Sequence, residues 1–132
     1  SKLIVNYKGW KICPLICYDL RFPVWSRNVE NYDLLIYAAN WPKPRINAWN
    51  TLLKARAIEN MSFCIGVNRV GVDDNGHQYS GNSTAIDYLG NDITKVAINI
   101  ESIIYAELDK EKMQNLRSKL PFLSDKDEFV IK

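Results

Sequence analysis

The sequence is poor in the residues from which metal and acid–base centres are usually built. It holds a single histidine, His77, and three cysteines, at 13, 17 and 64, with no Cys-x-x-Cys pair. That set excludes the common zinc and redox frameworks, so no metal is expected. Three cysteines cannot all pair, and reduced thiols in a cytoplasmic protein are the expected state. No stretch approaches the about 18 consecutive apolar residues of a membrane span, so no membrane partner is expected. Basic residues form no run or arm. The 17 Lys and Arg are mixed along the chain with 15 Asp and Glu, and nucleic acid is not an indicated partner. An initiating Met is also lacking, since the chain opens directly in the strand-like Leu3-Ile4-Val5-Asn6-Tyr7; the expectation is that upstream sequence is missing or a tag was removed.

What remains is the material of one globular domain. The 132 residues are 47% hydrophobic and 24% charged, enough to bury about two-thirds of the unfolded surface. Leu3–Tyr7, the turn Lys8-Gly9 and Trp10–Ile16 read as a β-hairpin. Pro14 is awkward in it and belongs at an edge or a bulge. The apolar run that ends at Ile16 stops abruptly at Cys17, polar Asp19 and Arg21 follow, and Pro23 suits the first position of a helix near 23–29. This is a buried strand, a sharp turn carrying a thiol, and a helix.

Leu34-Leu35-Ile36-Tyr37-Ala38-Ala39 is a continuous apolar run, as in a strand buried on both faces. Pro44 opens a helix over about 45–60, with Ile46, Trp49, Leu53 and Ala57 on one stripe that Leu52 and Ile58 widen. Residues 63–70 form another strand and Asp74-Asn75-Gly76 a turn. Residues 79–98 read as two strands around Leu89-Gly90-Asn91-Asp92, and Ser102–Leu108 as a further strand. Asp109 is a candidate N-cap for a last helix with Met113, Leu116 and Leu120 on one face, ended by Pro121. The order of elements predicts an α/β fold, a sheet with helices packed outside it.

Cys17 is the candidate nucleophile. A strand-to-helix turn exposes its sulfur, and helix-end amides favour the thiolate; Cys13 and Cys64 lie inside strand-like runs, where a thiol is a small core residue. A base for Cys17 is harder to find. His77 sits in a polar loop, where a histidine is ordinarily solvated. Asp19, Asp33, Glu59 and Asp87 are the carboxylates at hand. Asp19 is expected to pair with Arg21 and fix the turn, and Glu59 to pair with Arg56 at the helix end.

Cys17-Tyr18-Asp19-Leu20-Arg21-Phe22-Pro23 after an apolar strand resembles the nucleophile motif of the nitrilase superfamily, the carbon–nitrogen hydrolases. Asn40-Trp41-Pro42, Ala55-Arg56-Ala57-Ile58-Glu59-Asn60, Asn68-Arg69-Val70-Gly71 and Gly81-Asn82-Ser83, leading to Asp87 and Gly90, follow in the order of that family. Within it, Arg21-Phe22-Pro23-Val24-Trp25-Ser26-Arg27-Asn28 is similar to bacterial ω-amidases. Tyr88 departs from the proline that many relatives carry there.

The resemblance implies an α-β-β-α sandwich and a Glu–Lys–Cys triad whose Glu and Lys precede the Cys by most of a half-domain. Before Cys17 no lysine has the matching context and the first glutamate is Glu30. Residues 1–132 are therefore expected to be about the C-terminal half of a single such domain, inactive alone. For the complete protein the resemblance implies hydrolysis of the terminal amide of a small α-keto acid amide such as α-ketoglutaramate through a Cys17 thioester. The Tyr18 backbone N–H would be an oxyanion donor; no cofactor is required, and a homodimer is expected. Asn40 and Trp41 are expected to line the pocket, at the strand ends where α/β sheets bind ligands. Arg45 is the candidate for the substrate carboxylate, since a guanidinium fork matches it. Other readings are an aliphatic amidase, nitrilase or carbamoylase, a Cys–His thiol hydrolase using His77, and a non-catalytic assembly fragment.

Overall fold

The computed structural model describes residues 2–130. The hairpin forms as its turn chemistry predicts: β1 (Val5–Tyr7) and β2 (Trp10–Ile16) pair antiparallel with Tyr7 opposite Trp10. Lys8 and Gly9, at φ 45° and 80°, make the left-handed turn that matches strand twist. β3 (Leu34–Ala39) and β4 (Phe63–Asn68) join β2 in parallel, Ile16 level with Ala38 and Ala39 with Asn68. β5 (Val70–Val72) and β6 (Gln78–Ile86) form a hairpin that returns antiparallel on β4, and β7 (Ala97–Ile98) adds to β6. The sheet order is β1-β2-β3-β4-β6-β5, a mixed α/β sheet as the sequence predicts.

Pro14 is neither at an outer edge nor at a bulge, because β2 has neighbours on both sides. Lys11 bonds to Asp33 at the start of β3, so by alternation the backbone of Pro14 turns toward β1. The β1 ladder ends at Val5–Ile12, and the missing N–H costs no bond.

Helix α1 is one turn, Pro23–Ser26, shorter than expected, and α2 runs Ile46–Asn60. Trp49, Leu53 and Ala57 are buried on the sheet face carrying Cys13, Leu15, Leu35, Tyr37 and Cys64. Gly66 lets α2 approach, since a Cβ there would lie 2.5 Å from Leu53 Cδ1 and 2.7 Å from Trp49 Cζ2. The helix ends on Met61 at φ 45°; the Ser62 N–H donates to the Ala57 carbonyl and the Met61 N–H to that of Ile58. This is a Schellman cap with Met where glycine is usual.

The other face of the sheet is less covered. α3 (Lys110–Lys119), capped by the Asp109 carboxylate on the Lys112 N–H at 3.0 Å, buries Met113 against Leu34 and Phe63 at the N-terminal ends of the strands. Asp33 anchors it, with Lys110 Nζ at 2.8 Å and Arg117 Nη1 at 3.6 Å. Further along this face Ile36 and Ile65 are half-buried and Val67 is exposed.

Two expected strands are corrected. The partner of β6 after Asn91 shrinks to a single bridge at Asp92 and the two residues of β7. Ser102–Leu108 has no ladder at all, and leaves Ile103 and Tyr105 81% and 86% exposed. Its alternating pattern is that of a strand, but a strand needs a neighbour, and none lies beside it among the described residues. In the charged tail Leu123 is buried and Lys126 Nζ donates to the Asn28 carbonyl; its last residues, 131–132, lie outside the described residues. No helix among those described is long and apolar enough to cross a membrane.

Candidate active site

Cys17 is the first residue after β2 and takes φ 39°, the left-handed region that costs an L-residue about 1 kcal/mol or more. A 3-10 turn, Cys17–Arg21, begins on it and hands directly to α1. The thiol is half-buried, packed against the core at one edge. Amides at the start of such a turn have no acceptor within it, and the Tyr18 N–H is among them.

Three contacts hold this elbow. Asp19 Oδ2 accepts the Ile16 N–H at 2.9 Å, closing the turn on itself. Leu20 is fully buried, and its carbonyl accepts Arg56 Nη2 at 2.6 Å. Arg56 also bonds Glu59 Oε1 at 3.0 Å, the expected helix-end pair, but the arginine is buried and its second arm clamps the elbow to α2. That role could be found in the sequence: Arg56 falls on the same stripe as Trp49, Leu53 and Asn60, all buried, and an arginine among core positions implies a specific partner.

The expected Asp19–Arg21 pair is corrected. Asp19 fixes the turn through backbone, and the Arg21 guanidinium lies 4.8 Å from the centroid of the Trp41 ring, a cation–π geometry. The backbone donor won over the guanidinium, because the Ile16 N–H is already fixed by the turn and needs no long side chain ordered.

The C-terminal ends of β2, β3 and β4 bring Cys17 and Tyr18, Asn40 and Trp41, and Asn68 to one edge of the sheet. Asn68 is a residue the sequence reading passed over as a structural tie. Its Oδ1 accepts the Trp41 N–H at 2.7 Å, and its Nδ2 donates to the carbonyls of Trp41 and Gly81 at 3.0 and 2.8 Å. Both amide hydrogens and the amide oxygen of the side chain are used to fix this edge. Trp41 is buried, its Nε1 donating to the Arg45 carbonyl at 2.8 Å and its ring 5.7 Å from that of Trp49. Asn40 is exposed. Arg45 lines a cleft with Asn40 and His77, of which Cys17 is not a wall.

The carboxylates are engaged elsewhere. Asp33 holds α3 and accepts the Lys11 N–H at 2.9 Å, Glu59 holds Arg56, and Asp87 accepts the N–H groups of Leu89 and Asn91 in its own turn. Among the described residues no hydrogen bond joins Cys17 to a carboxylate or to His77, and no three His, Cys, Asp or Glu side chains gather as a metal site.

The thiols differ in kind. Burial pushes Cys13 up to about 11 and Cys64 higher still. The native protein at pH 8 is therefore expected to take one iodoacetamide label, on Cys17, and three after denaturation. Peptide mass spectrometry that finds Cys13 or Cys64 labelled at a rate similar to Cys17 in the folded chain would contradict this.

Comparison with known proteins gives a consistent result. Residues 3–118 match the family model described as carbon-nitrogen hydrolase. The chain is 49% identical to omega-amidase YafV of Yersinia enterocolitica over 131 residues, 99% of this chain and 51% of that protein. It is 36% identical to a 2-oxoglutaramate amidase of Bacillus subtilis over 119 residues, 89% of this chain and 45% of that protein. The crystal structure of XC1258 from Xanthomonas campestris, a CN-hydrolase superfamily protein with an arsenic adduct in its active site, superposes with a TM-score of 0.94 at 42% identity. That match covers 100% of this chain and 52% of the other. The chain spans about half the length of the curated relatives it matches.

Proposed function

The chain belongs to the carbon-nitrogen hydrolase family, and from that premise we propose that the protein containing it hydrolyses the terminal amide of a small α-keto acid amide, such as α-ketoglutaramate. The observation that carries this reading is Cys17, held at φ 39° on the elbow after β2, at the strand edge it shares with Asn40 and Trp41. The substrate class is supported by the omega-amidase and 2-oxoglutaramate amidase relatives. The chain is read as the C-terminal part of one such domain.

The chemistry runs in two halves. The Cys17 sulfur bonds to the amide carbon, and the C–N bond breaks as the nitrogen leaves with a proton as ammonia. Water then attacks the thioester carbon, the C–S bond breaks, and the thiol is restored with the free acid as product. The Tyr18 N–H, at the open start of the turn, offers the oxyanion a donor of a kind worth about 3–4 kcal/mol. A proton acceptor is needed in both halves. Asp19, Asp33, Glu59 and Asp87 are engaged elsewhere, and the resemblance implies that the base is the family's Glu, in the part of the relatives that this chain does not span.

Arg21 now competes with Arg45 for the substrate carboxylate. It lies in the same turn as Cys17, its guanidinium rests on Trp41, and no carboxylate pairs with it among the described residues. In the complete protein, ammonia release from α-ketoglutaramate should show KM raised on the order of tenfold or more in Arg21→Ala, with Arg45→Ala little changed. The reverse pattern would return the carboxylate to Arg45, and no ammonia release by the unmodified protein would remove the reading.

We further assign the protein to the cytoplasm as a homodimer. Its thiols are free, and Phe22, Val24 and Trp25 leave apolar surface beside the elbow. Sedimentation showing only monomer at micromolar concentration would count against the dimer.

A further inference from the structure

We infer that Asn68 is a positioning residue for the reaction at Cys17: it sets the loop that follows β3 and, through Trp41 and Arg21, the turn that presents the thiol. The inference rests on the reading of Cys17 as the nucleophile. One amide holds both backbone groups of Trp41, its Oδ1 accepting the N–H at 2.7 Å and its Nδ2 donating to the carbonyl at 3.0 Å. The other amide hydrogen goes to the Gly81 carbonyl at 2.8 Å. None is left to donate to a substrate, so Asn68 acts through what it holds. Asn68 is itself fixed, because Ser83 Oγ accepts its N–H at 2.9 Å and donates to its carbonyl at 3.2 Å.

The far anchor is an irregularity in β6. Gly81 and Asn82 take φ 74° and 57°, and the pairing with β7 shifts register between Gly81 and Ser83. A Cβ at Gly81 would lie 2.8 Å from Val70 Cγ1, which with the positive φ favours glycine there. The next carbonyl, that of Asn82, accepts Trp49 Nε1 at 3.0 Å, and the Trp49 ring lies 5.7 Å from the Trp41 ring. Asn68, Trp41, Trp49 and the bulge therefore close a circuit. It holds Trp41 by its backbone on one side and by its ring on the other.

Arg21 carries this setting to the elbow. Its guanidinium lies 4.8 Å from the centroid of the Trp41 ring, and it ends the 3-10 turn that begins on Cys17. Leu20, one residue earlier, is held from another direction by Arg56. The turn thus has two tethers, one to α2 and one to the loop after β3. A matched amide stands at the opposite end of the sheet. Asn28 Oδ1 accepts the Tyr32 N–H at 2.8 Å, and its Nδ2 donates to the carbonyls of Tyr32 and Asn60 at 2.9 and 3.1 Å. It ties the chain just before β3 as Asn68 ties the chain just after it, and Cys17 lies at the second end only. Asn28 is the measure of what such a clamp contributes to stability alone.

Iodoacetamide alkylation of Cys17, and kcat and KM for ammonia release from α-ketoglutaramate, are measured on the complete protein at a temperature where circular dichroism shows each variant folded. Asn68→Ala should change the alkylation rate by about threefold or more and lower kcat/KM by about tenfold or more. Asn28→Ala should lose stability yet stay within about twofold of the parent on both measures. In an Arg21→Ala background Asn68→Ala should add little to the alkylation change, because the route runs through Arg21. An Asn68→Ala protein within about twofold of the parent, an equal effect of Asn28→Ala, or full additivity with Arg21→Ala overturns the inference. Where an alanine variant does not fold, Asn68→Ser and Asn28→Ser decide between the same outcomes. If the unmodified protein releases no ammonia, the amidase reading fails and the alkylation series still decides this one.

Discussion

Cys17→Ala in the complete protein is expected to lower amide hydrolysis by a factor on the order of 10³ or more, about 4 kcal/mol of transition-state stabilisation, with stability unchanged within about 0.5 kcal/mol. The stability half of this statement is specific to the elbow. Alanine keeps the Cβ, so the strain at φ 39° is the same in both proteins, and the half-buried thiol leaves little cavity behind it. Cys13→Ala and Cys64→Ala should show the opposite split. Both side chains are fully buried between the sheet and its cover, so each truncation should cost about 1–2 kcal/mol while kcat stays near its starting value. Ammonia release and urea midpoints on the three variants separate the two classes. A Cys17→Ala protein that still turns over near the normal rate would take the nucleophile away from the elbow.

Arg56→Ala is expected to cost about 3 kcal/mol. Two groups are left behind by that change. The Leu20 carbonyl loses its donor in a buried place, and Glu59 loses its partner. Arg56→Lys should recover part of the loss, since an ammonium restores the charge but cannot bridge both acceptors in the way a planar fork does. The elbow gives a second measurement, because Leu20 and Cys17 belong to one 3-10 turn. Alkylation of Cys17 should change rate in Arg56→Ala and return toward the original value in Arg56→Lys. A denaturation midpoint unchanged by Arg56→Ala would show that the clamp is not a support of this turn.

The sequence was legible wherever one local rule dominated. β3 falls on Leu34–Ala39 as read, because a continuous apolar run of that length has few places to go but the middle of a covered sheet. α2 and the Asp109 cap follow from spacing and capping chemistry in the same way. Apart from the length of α1, the readings that failed concerned partners. Asp19 had two acceptable ones, Arg21 and the Ile16 N–H, and distance in three dimensions chose the second. Ser102–Leu108 has the alternation of a strand, yet hydrogen-bonded pairing is a property of two segments, and its neighbour is not among the described residues. The Asn68 contacts to Trp41 and Gly81 could not be read at all, since they join positions far apart in the chain.

By itself the sequence determined the chemistry available to this protein: one thiol at the junction of an apolar strand and a proline-led turn, one histidine in a loop, and carboxylates without an evident path to the thiol. These are local facts of residue type and spacing, and folding does not alter them. The tertiary structure decided which groups are free to act. It engaged Asp19, Asp33, Glu59 and Asp87 in turns and ion pairs, spent Asn68 on a strand edge, and left Arg21 on Trp41 and Arg45 in a cleft with Asn40 and His77. Whether a polar side chain is spent or available depends on what lies within about 3 Å of it, and only the fold sets those distances.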